Sequence, residues 1–512
     1  MKPDPMKNLT LWALATAFLL TAAPKKPRLI LAVMVDQFRY DYLTRYRSEY
    51  HAGLDRLLTQ GAVFTNSSYI HVPTVTAVGH STFLSGAIPS VSGIVANDWY
   101  DRDEKTHVTS VSDGAAKLLG GDAGPGSSPK RLLVSTLGDE LKMANGGRSH
   151  VVGVSLKDRA AILPSGHMAD GAYWFDPKSG SFVSSTYYFP ELPGWVADFD
   201  KSRPADRYRG VTWLNHRLPE DLKALYDAID SSPFGNELVE GFAELALDHE
   251  RLGLHDGPDL LTVSFSSNDY VGHDFGPESP EAHELALRTD LLLDKLFQAA
   301  AKQAGAENVL VVFTADHGVA PVPEVNAARK MPGGRISLNS VRDAVETALV
   351  KKFGAGEWVT GNWDQAVYLN ADLMARKKLD QGVVEREAAR AIFAMPHIFR
   401  VYTRQDLLRG HALPDEITRR VVNSFHVRRS PNVEYLPDPY WIIQNKTTGT
   451  GHSTPFGYDA HVPTIFWGAG IKAGRYDFPV TVNDIAPTLA TLLDVETPSG
   501  SAGRVLTEIF QH

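Results

Sequence analysis

Short apolar runs recur along the chain at Leu29–Val35, His150–Ser155, Leu260–Phe265, Val309–Thr314 and Val462–Trp467. Each has the length of a β-strand. None alternates strictly between apolar and polar residues, which is the pattern of strands buried on both faces of a parallel sheet. Helical periodicity lies between them, clearest in Glu281–Ala301, where apolar residues return every three or four positions. Alternating strands and helices predict a doubly wound α/β fold with a mostly parallel sheet flanked by helices. Three stretches break the rhythm. Residues 99–129 and 168–217 are rich in Gly, Pro, Ser and Asp and predict irregular insertions. Residues 321–448 mix strand-like pieces (Ala366–Leu369) with helical ones (Gln381–Ala394) and predict a small α+β cap.

The N-terminus changes the picture of where the protein works. Lys2 and Lys7 precede the apolar run Leu9–Leu20, and the small residues Thr21, Ala22 and Ala23 follow. This layout predicts a signal peptide over residues 1–23, with an uncleaved membrane anchor as the alternative. Residues 24–512 then form an exported catalytic domain, periplasmic or secreted in a bacterium. With no second long apolar run, no stable membrane association is expected after signal removal. The net charge of −9 argues against a dedicated nucleic-acid partner. The chain contains no cysteine, so any transition-metal site must be built from His, Asp, Glu and hydroxyl groups.

In open α/β sheets ligands bind beyond the carboxyl ends of the strands. Asp36 follows the first apolar run. Lys157, Asp158 and Arg159 follow the second. Asp269 and His273 follow the third, four residues apart, on one face if that turn is helical. Asp316 and His317 follow the fourth, and His452 lies in the loop before the fifth. Singly these residues have ordinary explanations as turn, cap or solvated groups. Gathered at one sheet edge, they would waste desolvation energy without a cation. Nitrogen and oxygen donors without sulfur suit zinc or a neighbour such as manganese or cobalt.

The segment Pro73-Thr74-Val75-Thr76-Ala77-Val78-Gly79-His80 leads into a predicted helix. Free N–H groups at a helix start seat a phosphate, and a metal-activated Thr hydroxyl there is a nucleophile. Read locally, Thr74 and Thr76 serve equally well as helix caps. His80 reads as a packing or local hydrogen-bonding residue, and His461 as a structural residue or one that orients a ligand.

Asp36, the Pro-Thr-x-Thr-x-x-x-His stretch, Asp269-x-x-x-His273, Asp316-His317-Gly318 and Gly451-His452 occur in the order seen in the alkaline phosphatase superfamily. With Gly93–Asn97 and Lys157-Asp158-Arg159, the chain resembles the threonine-nucleophile, monomeric alkaline phosphatases of the PafA/PhoK type, which are related to nucleotide pyrophosphatase/phosphodiesterases. The resemblance implies two zinc ions. Asp269, His273 and His452 would hold one; Asp36, Asp316, His317 and the Thr76 oxygen would hold the other. It implies Thr76 as nucleophile through a phosphothreonine, and Asn97, Lys157 and Arg159 as contacts to the phosphoryl oxygens. The expected substrates are small-molecule phosphate monoesters, since two extra cations suit a dianion. A phosphodiesterase is the second reading, and a silent metal-stabilised binding protein a third. An additional structural calcium ion in the acidic loops is a further expectation, as is a monomeric state.

Overall fold

Strands β1 (Leu29–Val35), β2 (Ala62–Phe64), β3 (Ser112–Leu119), β4 (Pro125–Ser127), β5 (Val151–Ser155), β6 (Gly171–Asp176), β7 (Ser181–Ser185), β8 (Asp259–Phe265), β9 (Val309–Thr314), β10 (Thr464–Gly468) and β11 (Gly474–Tyr476) form one 11-stranded sheet. Their order is β11-β2-β10-β9-β1-β8-β5-β6-β7-β3-β4. This computed structural model describes residues 26–411 and 413–511, so the segment read as a signal peptide lies outside the described residues. The centre of the sheet, β9-β1-β8-β5-β6, is parallel throughout. Every residue of β1, β5, β8 and β9 is buried, as unbroken apolar runs require.

Register fixes where those strands stop. Val35 lies opposite Phe265, Met34 opposite Thr314, and Ser264 opposite Ser155. The residues that follow the four strands therefore emerge at one level. The fifth apolar run departs from expectation. Its strand begins at Thr464 and runs antiparallel to β9, with Thr464 opposite Thr314. An apolar run carries no sign of direction, and the chain's return from the cap sets it here. The antiparallel sense brings the loop before β10, with His452, to the same edge as the carboxyl ends of the parallel strands.

Helices α1 (Thr76–Ser85), α2 (Asp158–Ser165), α3 (Pro233–His249), α4 (Ser267–Phe275), α5 (Pro280–Ala304) and α6 (Ile485–Leu493) flank the sheet. Helix α5 extends the predicted 281–301 segment at both ends. Pro280 stands in its first turn and the Ser279 hydroxyl accepts the Ala282 N–H. It packs against α3, while α1 packs against α2 and α6. Every residue of α1 is buried. Gly79 lets it approach the sheet so closely, because a Cβ there would lie 2.7 Å from both Cα and Cβ of Asp316.

The two stretches expected to be irregular are built from paired strands. In 99–129, Asp98–Asp101 pairs with Thr106–Thr109, and β3 pairs with β4. In 168–217, β6 and β7 extend the central sheet, and a ribbon joins Thr212–Trp213 to His216–Arg217. The turn formers mark tight turns between short strands, such as Gly180 at φ +71° between β6 and β7. Within 321–448, strands Val359–Trp363, Ala366–Leu369, Val433–Pro437 and Ile398–Thr403 form a separate four-stranded antiparallel sheet. Helices Leu338–Phe353 and Gln381–Phe393 pack together over it around their own core, which includes Val345, Trp358, Val384 and Tyr435.

Candidate active site

Asp36 leaves β1 with its N–H bonded to the Phe265 carbonyl at 2.9 Å. Ser264 on β8 donates to Asp36 Oδ1 at 2.6 Å. The next residue, Gln37, ties the edge together from a left-handed backbone position (φ 59°). Its N–H donates to Asp316 Oδ1 at 2.9 Å and its side-chain amide to Asp269 Oδ1 at 2.7 Å. Helix α4 places Asp269 and His273 on one face, with His273 Nε2 3.2 Å from Asp269 Oδ1. His452 Nε2 lies 3.2 Å from His273 Nε2 and 3.7 Å from Asp269 Oδ1. Asp36, Asp316 and His317 are wholly buried.

The imidazoles show which of these groups can hold a metal. His273 donates through Nδ1 to the Thr450 carbonyl (2.9 Å), His452 to the Thr74 carbonyl (2.7 Å) and His317 to the Gly318 carbonyl (2.9 Å). A carbonyl can only accept, so each Nδ1 carries the proton and each Nε2 is turned toward the carboxylates. Asp269, His273 and His452 thus present three ligand atoms within 4.8 Å of one another. A second such group comprises Asp36, His80 and Asp316. Both ring nitrogens of His80, however, are taken up: Nδ1 by the Thr76 carbonyl at 2.9 Å and Nε2 by Ser264 Oγ at 2.8 Å. Among the described residues His317 Nε2 has no hydrogen-bond partner and lies 3.2 Å from Asp316 Oδ2, which also has none; both are buried. Two orphaned buried atoms facing each other are what a bound cation satisfies. The donor set therefore fits two cations, with His317 as the imidazole of the second. His80 instead steadies Asp36 through Ser264, a role that sequence reading missed. Its i+4 spacing from Thr76 was the available signal.

Thr76 opens α1, but it does not cap it. The N-cap position is Val75, and no side chain caps the helix there. The Thr74 hydroxyl bonds instead to the Thr454 carbonyl at 3.0 Å. Thr76 is 2% exposed, and its hydroxyl makes no hydrogen bond among the described residues. Asn97 accepts the Ala77 N–H through Oδ1 at 2.8 Å, which leaves its NH2 donors beside the same helix start.

Lys157, at the end of β5, lies between the two groups. Its ammonium donates to Asp269 Oδ2 at 2.6 Å and to Asp36 Oδ2 at 3.0 Å. Arg159 Nε is buried without a hydrogen-bond partner among the described residues, and the guanidinium feels the carboxylates of Asp158, Asp269 and Asp36. Electrostatics follow this geometry. Burial alone would raise the Asp269 carboxyl, but Lys157 and then His273 hold it well below its ordinary value. Burial would lower His317, and the Asp316 charge overrides it to about 9. The same field favours any cation at that nitrogen, so proton and metal compete for it. His452 is pushed well down by burial and then by His317 and His273.

A profile of the family described as type I phosphodiesterase / nucleotide pyrophosphatase matches residues 30–461. Alkaline phosphatase PafA of Elizabethkingia meningoseptica is 35% identical over 96% of this chain and 96% of its own length. Alkaline phosphatase PhoV of Synechococcus elongatus is 35% identical over 95% and 93%. The crystal structure of wild-type PafA matches with a TM-score of 0.89, covering 95% of this chain and 99% of that one. A solved PafA variant with a threonine, an asparagine, a lysine and an arginine replaced matches equally well. Murine ectonucleotide pyrophosphatase/phosphodiesterase 5 shares the fold, with a TM-score of 0.55 at 17% identity. The chain belongs to the type I phosphodiesterase/nucleotide pyrophosphatase family, within the alkaline phosphatase superfamily. Within that family its likeness runs full length to the PafA type, and its activity is that of an alkaline phosphatase, a phosphomonoesterase.

Proposed function

We propose that this phosphatase works through a covalent phosphothreonine at a two-zinc site and releases inorganic phosphate. The observation that carries the reading is Thr76: a nearly buried residue that opens a helix, with a hydroxyl that makes no hydrogen bond among the described residues, four residues before His80 of the second His/Asp group. Asp269, His273 and His452 would hold one ion; Asp36, Asp316, His317 and the Thr76 oxygen would hold the other. When bound, such ions supply charge that stabilises the attacking and leaving oxygens of an in-line displacement.

The chain's own groups do the rest. The Thr76 oxygen loses its proton and attacks phosphorus, and the ester P–O bond breaks to release the alcohol. Water then attacks the same phosphorus, breaks its bond to Thr76 and frees phosphate. The Asn97 NH2, the Lys157 ammonium and the Arg159 guanidinium would donate to the phosphoryl group, where charge spreads over the non-bridging oxygens. The solved PafA variant alters the same four residue types in the same chain order, which supports these assignments. The cationic pair favours a monoester dianion over a diester.

Acid quenching during turnover of p-nitrophenyl phosphate, followed by peptide mass analysis, tests the nucleophile. One added phosphoryl group should appear on the peptide that carries Thr76. A phosphoryl group on any other residue, or continued turnover by Thr76→Ala, would overturn the assignment. Lys157→Ala and Arg159→Ala should each reduce turnover of p-nitrophenyl phosphate far more than of its bis ester. Equal losses would count against the discrimination. We also propose that the enzyme is exported and acts as a monomer, which fractionation of a native host and sedimentation would test.

A further inference from the structure

Asp459 is wholly buried in the turn Gly457–Ala460 that precedes β10, and it belongs to neither His/Asp group. Its Oδ2 accepts two bonds from Thr454, the N–H at 2.9 Å and the hydroxyl at 2.6 Å. Thr454 passes this order on. Its carbonyl accepts the Thr74 hydroxyl at 3.0 Å, and the Thr74 carbonyl accepts His452 Nδ1–H at 2.7 Å. A second line of bonds leaves the same residue through the backbone. The Asp459 carbonyl accepts the Gly318 N–H at 2.7 Å, and the Gly318 carbonyl accepts His317 Nδ1–H at 2.9 Å. One imidazole from each proposed metal site therefore stands at the end of a line that starts at Asp459. The two rings stack on each other, with centroids 3.6 Å apart and planes at 20°.

Two observations mark this arrangement as one for positioning. Ser453, between His452 and Thr454, has φ 96°, a left-handed backbone that costs free energy for a residue with a Cβ. Such a conformation persists only where the surroundings over-determine it, and strain of this kind gathers at functional sites. The bond from the Thr454 N–H to Asp459 holds the peptide that follows Ser453. Asp459 Oδ1, moreover, is buried with no hydrogen-bond partner among the described residues. A buried carboxylate with one oxygen unpaired is a costly way to stabilise a fold. What it secures is the direction of Thr454, and Thr454 and Thr74 are themselves buried, away from any water that would replace a lost bond.

We propose that Asp459 is a positioning residue which, through Thr454 and Thr74, aims the His452 imidazole at the first ion and keeps it in register with His317. The inference rests on the two-zinc reading above. Thr74 stands two residues before Thr76, so the same bonds tie the segment of the nucleophile to a metal ligand. Groups that orient a ligand in this way typically carry about 10–100-fold in metal affinity.

The test is zinc affinity, read by competition with a chromophoric chelator on the reloaded enzyme. Thr74→Val removes one hydroxyl at nearly constant volume. It should weaken one of the two ions by about 10–100-fold and leave the other nearly unchanged. Thr74→Ser, which keeps the hydroxyl, should bind both ions as the wild type does. Asp459→Ala should weaken the same ion as Thr74→Val; if it does not fold, Thr74→Val carries the test alone. In a His452→Ala background, where the oriented ligand is already gone, Thr74→Val should cost no further affinity. A merely structural role would lower the melting temperature without singling out one ion. Wild-type affinity in Thr74→Val, equal losses with and without His452, or no recovery in Thr74→Ser overturns the proposal. A wild-type enzyme that binds no zinc defeats the two-zinc reading itself, whereas two ions held equally well by the wild type and Thr74→Val defeat only this inference.

Discussion

Gly79 offers a test in which stability and activity should part company. It lies in α1 one turn after Thr76, and a Cβ built there would sit 2.7 Å from Asp316 Cα and Cβ, where ordinary contact begins at 3.4 Å. The obstructing atoms include backbone, so Gly79→Ala must move the helix and the end of β9 apart by about 0.7 Å or more. Replacing Gly by Ala within a helix contributes ~1 kcal/mol of stability. Forcing an extra methyl into a packed contact costs about 1–3 kcal/mol. The net is a cost of up to about 2 kcal/mol, so the melting temperature should fall by a few degrees. Catalysis has no such compensation. The shift separates the Thr76 helix from Asp316, and a misplacement of about 1 Å can cost roughly 10²-fold in rate, or ~2.7 kcal/mol of barrier. Hydrolysis of p-nitrophenyl phosphate measured beside calorimetric unfolding reads both quantities. Gly241→Ala is the control, because Gly241 lies in α3 with open space where its Cβ would be. It should gain up to ~1 kcal/mol and keep full activity. Wild-type kcat/KM in Gly79→Ala, or a gain in stability equal to that of Gly241→Ala, would refute the reasoning.

Other expectations follow from the same geometry. Thr76→Ala should eliminate turnover and leave the melting temperature within a few degrees of wild type, because the lost hydroxyl bonds to nothing in the described structure. His317→Ala should bind one metal ion fewer per chain by elemental analysis. His80→Ala should keep the metal count and lower kcat, since both His80 nitrogens are engaged in hydrogen bonds; loss of an ion from His80→Ala would exchange the two roles. Chelation should abolish activity and lower the melting temperature, with both restored by zinc, because the clustered carboxylates are then left uncompensated. Glu434 makes stability depend on pH with a definite sign. Its folded pKa of about 8 exceeds its ordinary 4.5, so the folded state holds a proton that the unfolded state releases. That contribution is complete below 4.5 and is lost as pH rises through about 8, so the melting temperature should decline over this window. Glu434→Gln should flatten the decline, and an unchanged slope would show that the carboxyl is not held protonated.

Local pattern determined a good deal of this protein. Unbroken apolar runs marked β1, β5, β8 and β9 to within a residue or so, because strands buried on both faces leave no other composition open to them. Helical period marked α5, and the four-residue step from Asp269 to His273 anticipated their shared face on α4. Asp36, Lys157, Asp269 and Asp316 could be named because chemistry in such sheets gathers where strands end. The rest depended on partners distant in sequence. The direction of β10 was illegible, since an apolar run reads the same both ways. Turn-rich stretches looked irregular because short paired strands are separated by the same residues that fill loops. Whether Thr76 capped a helix or stood free turned on the backbone at Val75. Whether His80 or His317 could offer nitrogen to a metal turned on which carbonyl or hydroxyl faced each ring. The bond from Gln37 to Asp269, and the line of bonds from Asp459 through Thr74 to His452, exist only because the fold brings those segments together. Periodicity and strand ends belong to the chain alone; the free lone pair, the free hydroxyl and the unpaired carboxylate belong to the packing.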